Sequence, residues 1–163
     1  MTSLRIPYFH QKTDYTCGPA VVRMILRHFK KNISEASLSR RLKTNRAIGT
    51  HPRAIITFLR RAGLYVYLNE SSTMAELAFL ISKKYPVIVL YREPVDNEGH
   101  YAIVVEINRR IITLHDPWHG RHFKISPRSF NARWQTFEPG MRSRHWLIAV
   151  AQNNVQIDKQ FHS

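Results

Sequence analysis

Apolar residues recur at three- and four-residue spacing through the first half of the chain. Ala20, Val21, Met24, Ile25, His28 and Phe29 fall on one face of a helix. Pro19 lies in its first turn, where a missing N–H costs nothing. Asn32 or Ser34 caps a second short helix that runs to Leu42. Thr50 caps a third, with Pro52 in its first turn, a stripe of Ala54, Ile55, Phe58, Leu59 and Ala62, and Gly63 as the stop. A short strand at 65–68 follows, and Thr73 caps a fourth helix carrying Met74, Leu77, Ala78 and Ile81. The period then changes. Residues 87–91, 101–107, 110–115, 122–125 and 145–151 are β-branched or aromatic runs, mostly bounded by turn residues. Asn108-Arg109 is a tight turn between two of them, and Ser126 with Pro127 opens a short helix at 126–134. Ahead of all these, residues 4–9 form a short extended segment.

Helices first and an antiparallel meander afterwards make an α+β pattern, the N-terminal helical part packed on a C-terminal antiparallel sheet. No repeat, low-complexity tract or Gly/Ser linker interrupts it. Residues 1–152 therefore read as a single domain, and the polar residues 153–163 as a tail. At 163 residues the chain can bury about two-thirds of its unfolded surface, so no disulfide or metal is needed to hold a core. A hydrophobic share of 44% and a charged share of 22% argue against disorder along the whole chain. The N-terminus lacks the apolar core of a secretory signal, and no stretch approaches the roughly 20 apolar residues that span a bilayer. The expectation is a soluble cytoplasmic protein, with export routes that use no N-terminal signal left open.

Cys17 is the only cysteine, so no disulfide forms within the chain. It begins the first helix, in Thr16-Cys17-Gly18-Pro19-Ala20. A thiol there meets unpaired backbone N–H groups and the positive end of the helix dipole, which favour the nucleophilic thiolate. Gly18 leaves room beside it for a substrate. A cysteine nucleophile needs a base, a group that orients the base, and oxyanion donors. Among nine histidines, His100 follows the turn Asn97-Glu98-Gly99 and opens a strand, where a side chain projects from a rigid rim. Asp116 ends another strand and precedes the turn Pro117-Trp118-His119-Gly120. Counting outward from the Asn108-Arg109 turn sets Tyr101 opposite Asp116 or close to it, with His100 a residue or two away. An aspartate so placed accepts the imidazole N–H and fixes its tautomer. Gln11, six residues before Cys17, supplies a neutral amide donor for an oxyanion.

Taken together, these segments resemble the double-glycine leader peptidases, papain-like cysteine peptidases best known as N-terminal domains of bacteriocin ABC exporters. The resemblance rests on Pro7-Tyr8-Phe9-His10-Gln11, Tyr15-Thr16-Cys17-Gly18-Pro19-Ala20, Gly49-Thr50, Gly99-His100-Tyr101 and Asp116-Pro117 with Gly120. It implies a papain-like fold, with Cys17 as nucleophile, His100 as general base and acid, Asp116 as its orienter and Gln11 in the oxyanion hole. It implies cleavage after a Gly-Gly pair of a leader peptide, with no cofactor or metal. The chain departs from the exporters in carrying no Walker A pattern and no transmembrane segment.

Other readings remain in view. The same triad serves a papain-like acyl or peptidyl transferase, in which an amine or thiol replaces water. Lys and Arg number 25 against 11 Asp and Glu, so the net charge is +14, which points to an acidic partner or an anionic surface. Basic runs such as Arg40-Arg41-Leu42-Lys43 would serve a binding module. No helix-turn-helix, zinc-finger or RNA-recognition signature accompanies them, so nucleic acid is not the expected partner. His115, His119 and His122 have ligand-like spacing, but Pro117 and Gly120 break the helix that would bring them together.

Overall fold

The computed structural model describes residues 3–137 and 142–155. Helices α1 (Cys17–His28), α2 (Glu35–Arg41) and α3 (Pro52–Arg61) come first. Strand β1 (Tyr65–Asn69) and helix α4 (Met74–Ser82) lead into β2 (Val87–Arg92), β3 (Gly99–Ile107), β4 (Ile112–Asp116) and β5 (Gly120–Ile125). Helix α5 (Pro127–Arg133), the short strands β6 (Gln135–Thr136) and β7 (Ser143–Arg144), and β8 (Leu147–Ala151) complete the order.

The helix starts follow side-chain capping. Ser34, Thr73 and Ser126 each accept a backbone N–H from three residues ahead. The third helix corrects the sequence expectation: His51, not Thr50, holds its cap position, accepting from Arg53 N. Thr50 is buried instead and has a different task, described below. Helix α1 is more deeply enclosed than one apolar face requires, since Val22 and Leu26 are also fully buried. It packs against α2 and α3 on one side and β3 on another, which carries its N-terminal cysteine to the sheet.

The six-stranded antiparallel sheet runs β1-β8-β2-β3-β4-β5. Strands β2 to β5 form the expected meander. Strand β8 departs from it by returning between β1 and β2, with Val66 opposite Val150 and Val87 opposite Ala149. The burial patterns account for this order: β8 is buried at every position, whereas the edge strands β1 and β5 are the ones that mix in polar, exposed residues. Of the polar tail, residues 156–163 lie outside the described residues, and Val155 joins the core.

The extended N-terminal segment lies as a strap beside β3 and β4. Leu4 N donates to Val105 O at 2.9 Å, His115 Nε2–H to Ile6 O at 2.9 Å, and Gln11 N to Pro117 O at 2.9 Å. Val105 is the extra residue of a β-bulge, so its carbonyl is available outside the β3–β4 ladder.

Candidate active site

The bulge at Val105 decides what faces what. The loop from β3 to β4 takes four residues, Asn108 to Ile111, and pairing begins with Ile107 opposite Ile112. In that register Asp116 would share a face with Ile103 and Tyr101, and His100 would point the other way. The bulge shifts the pairing by one, to Ile103 opposite His115. Continuing by one residue sets Asp116 beside Ala102, next to the Tyr101 that the sequence count places opposite Asp116 or close to it. His100, two residues from Ala102, now shares the face of Asp116 as its diagonal neighbour. Across the other edge of β3, Tyr91 pairs with His100, which puts its ring on the same face.

The contacts follow from this register. His100 Nε2–H donates to Asp116 Oδ1 at 2.8 Å, and Tyr91 OH donates to Asp116 Oδ2 at 2.5 Å. Trp118 N and His119 N also donate to Oδ1, each at 2.9 Å. The aspartate is fully buried and satisfied by four donors. One carboxylate thus both closes the 116–119 turn and orients the imidazole. Burial pushes the Asp116 carboxyl up, but the His100 hydrogen bond and charge, then Tyr91 and His119 N, hold it down at about 2.

His100 lies against the buried Cys17, and with Nε2 bound to Asp116 the ring nitrogen left for the sulfur is Nδ1. Burial opposes an imidazolium here. The field of Cys17, the hydrogen bonds to Asp116 and Cys17, and the Asp116 charge outweigh it and raise His100 to about 10. Both groups, with Gln11, Tyr15, Thr50, Tyr101 and Trp118, line one cleft of about 600 Å³. Thr16, at the cap position of α1, turns its hydroxyl back to Thr13 and leaves the first helical amides uncapped. Thr13 O in turn accepts from Gln11 Nε2 at 2.7 Å, which fixes the amide beside the cysteine.

Gly18 corrects another expectation. A Cβ there would lie 2.3 Å from Thr50 Oγ1 and 2.5 Å from Thr50 Cβ. The missing side chain therefore makes room for Thr50 rather than for a substrate. Thr50 is fixed on its own account, by Thr44 Oγ1 at 2.7 Å and by Tyr101 OH, which donates to its carbonyl at 2.8 Å.

The four residues singled out from sequence, Gln11, Cys17, His100 and Asp116, all line or adjoin this cleft. Sequence reasoning missed Tyr91, Tyr8 (whose hydroxyl donates to Asp116 O at 2.8 Å) and the His119–Glu93 pair at 2.7 Å. Tyr91 left one signal: a tyrosine closing the aliphatic run Val87-Ile88-Val89-Leu90 must find a partner for its hydroxyl. Of the three histidines weighed as a metal cluster, His115 binds Ile6 O and His119 binds Glu93.

His115 also sets an acid limit on stability. Burial, together with the charges of His122 and Arg121, lowers it to about 4 despite its bond to Ile6 O. Its folded pKa lies below the unfolded 6.5, so the folded state binds fewer protons between these values and stability falls as pH drops from 6.5 to 4. His100 and Asp116 are silent in that window. The raised His100 contributes fully below 6.5 and loses its contribution as pH rises through about 10. The lowered Asp116 contributes fully above 3.8 and loses it as pH falls through about 2. Melting temperatures measured from pH 7 to pH 4 should therefore fall steadily in the wild type and more gently in His115→Gln. Equal slopes would contradict this account.

A helical N-terminal part packed on an antiparallel sheet, with a cysteine at a helix start facing a histidine and an aspartate on the sheet, is the fold class of the papain-like cysteine peptidases. Residues 5–138 match the Peptidase C39 family, and the chain belongs to that family. A probable microcin secretion/processing ATP-binding protein of Escherichia coli is 30% identical over 119 residues, which are 73% of this chain but 16% of that protein. The chain thus spans only a small part of that relative's length. An uncharacterized protein of Methanothermobacter thermautotrophicus is 29% identical over 115 residues, 68% of this chain and 71% of that one. Among solved structures, the peptidase domain of Streptococcus ComA, a bifunctional ABC transporter involved in quorum sensing, superposes with a TM-score of 0.71 at 21% identity, covering 94% of this chain and 100% of that one. A double glycine motif protease from an AMS/PCAT transporter, solved with a leader peptide, gives 0.71 at 18% identity and covers 92% of this chain and 94% of its own. Both share the fold. Among the described residues no helix is long and apolar enough to cross a membrane.

Proposed function

We propose that this protein is a cysteine peptidase that cleaves after a Gly-Gly pair at the end of a leader segment, through an acyl-enzyme. His100 holds the proton of the Cys17–His100 pair as the sulfur attacks the scissile carbonyl carbon. A C–S bond forms and the carbonyl oxygen takes the negative charge. The uncapped Cys17 N–H and the second N–H of Gln11 Nε2 stabilise that oxygen. As the C–N bond breaks, His100 gives its proton to the leaving amine. Water then attacks the thioester, His100 takes one of its protons, the C–S bond breaks with its electron pair on the sulfur, and the carboxylic acid product releases its remaining proton to solvent. Asp116 keeps Nε2–H in place throughout and balances the imidazolium.

One observation carries this reading: the buried line of contacts from Cys17 through His100 to Asp116 and Tyr91. Membership of the C39 family supports it, and the leader peptide bound to the AMS/PCAT relative supports the substrate class. The test is a peptide library that contains Gly-Gly sites, incubated with wild type and Cys17→Ala, with new termini read by mass spectrometry. Wild type should produce termini after Gly-Gly, and Cys17→Ala should be slower by at least about 1,000-fold. The same termini from both proteins, or none from either, would overturn the proposal.

A further inference from the structure

The charge of the cleft runs against the charge of the molecule. From Cys17 to Ala62 the only acid is Glu35, which is buried and accepts from Lys12 N. The cleft, in contrast, is lined by Asp14, Glu93, Asp96 and Glu98, four of the chain's 11 acids. Apart from the buried His100 ring, the one basic side chain among the described residues that line it, Arg46, already lies 3.8 Å from Asp14. Glu93 is occupied too, by His119 and by the amides of Val95 and Asp96. Asp96 and Glu98 are exposed and have no ion-pair partner among the described residues.

These two carboxylates sit on the β2–β3 loop, which delivers His100 to the cleft. The loop is braced. Arg133 donates to the carbonyls of Arg92 and Glu93 and to Asn97 Oδ1, and Glu93 N donates to Glu98 O at 3.0 Å. The wall is thus held in place before any ligand arrives. A second observation points the same way. Gln11, only 3% exposed and lining the same cleft, keeps an Oε1 that no group among the described residues donates to. Free carboxylates and an unfilled acceptor together call for a ligand rich in N–H donors and positive charge.

We propose that the cleft selects peptides with a lysine or arginine close to the scissile bond, held by Asp96 and Glu98. This rests on the peptidase reading and adds the charge of the substrate to it. Exposed charges act over about a Debye length, 8–10 Å at moderate ionic strength, so two carboxylates on the cleft wall act on a bound peptide but not on distant ones.

Because Cys17 is the only thiol, its labelling reads the cleft without needing a substrate. A cationic and an anionic methanethiosulfonate of similar size are compared on wild type and on Asp96→Asn/Glu98→Gln. The cationic-to-anionic rate ratio should fall about fivefold or more in the variant at low salt, and the difference should shrink near 0.5 M salt. In parallel, Gly-Gly peptides flanked by Lys or by Glu are compared. Wild type should favour Lys in kcat/KM by about tenfold, and the variant should lose that preference. An unchanged labelling ratio overturns the charge proposal, as does equal cleavage of the two peptides by wild type. A shifted ratio with no peptide cleaved supports the cationic preference and removes the peptidase reading instead. Unchanged melting of the variant establishes that it is folded, as expected for two exposed loop residues.

Discussion

Asp116→Ala should slow peptide cleavage by about 1,000- to 10,000-fold and destabilise the fold by about 3–5 kcal/mol. The reason lies in the four donors that converge on this carboxylate. Removing it leaves a buried imidazolium without its counter-charge, and two turn amides and a tyrosine hydroxyl without an acceptor. In a domain of this size such a loss lowers the melting temperature by about 6–20 °C. Asp116→Asn separates the two roles. Its amide oxygen can still accept from His100, Trp118 N and His119 N, while the Tyr91 hydroxyl turns to accept from the new NH2. Geometry is kept and only the charge is lost. That variant should retain most of the stability and at least about tenfold more activity than Asp116→Ala. Equal rates for the two would mean that orientation of His100 is not what Asp116 provides. Wild-type rates for Asp116→Ala would remove it from the mechanism.

Gly18→Ala is the second large expectation, and it concerns packing. The added methyl would sit 2.3–2.5 Å from Thr50, against atoms at the base of that side chain rather than at a flexible end. Thr50 cannot withdraw easily, because Thr44 and Tyr101 hold its hydroxyl and its carbonyl. Relief must come from a shift of the start of α1, which carries Cys17. The cost should be about 3 kcal/mol, the upper end of the usual overpacking range, or about 6–12 °C in melting temperature. Alkylation of Cys17 should slow as well, because the sulfur moves relative to His100. Combining Gly18→Ala with Thr50→Gly should recover part of both losses. A Gly18→Ala protein that melts within a degree of wild type would contradict the close approach.

Much of the molecule was legible along the chain. Ser34, Thr73 and Ser126 cap helices as their residue types dictate, because the capping bond is local and spans three residues. The stripes in α1 and α3 and the aliphatic runs of β2, β3 and β8 announce burial for the same local reason. Cys17, His100 and Asp116 stood out because each sits where a helix or strand begins or ends, and Gln11 because it lies six residues ahead of Cys17. Thr50 misled. A threonine two residues before a proline looks like a cap, but a long-range neighbour, Gly18, claimed it for packing.

Local patterns therefore determined most of the helices and longer strands, that the fold is α+β, and which side chains are candidates for chemistry. Tertiary structure alone decided that β8 enters the sheet beside β2, because a buried run of five residues can find its place only once the other strands exist. It also decided which residues meet. Side chains alternate along a strand, so the single extra residue at Val105 reverses the face on which Asp116 stands relative to His100. No counting of residues from a turn fixes that parity. The bulge arises where strap and sheet exchange hydrogen bonds, between groups about a hundred residues apart.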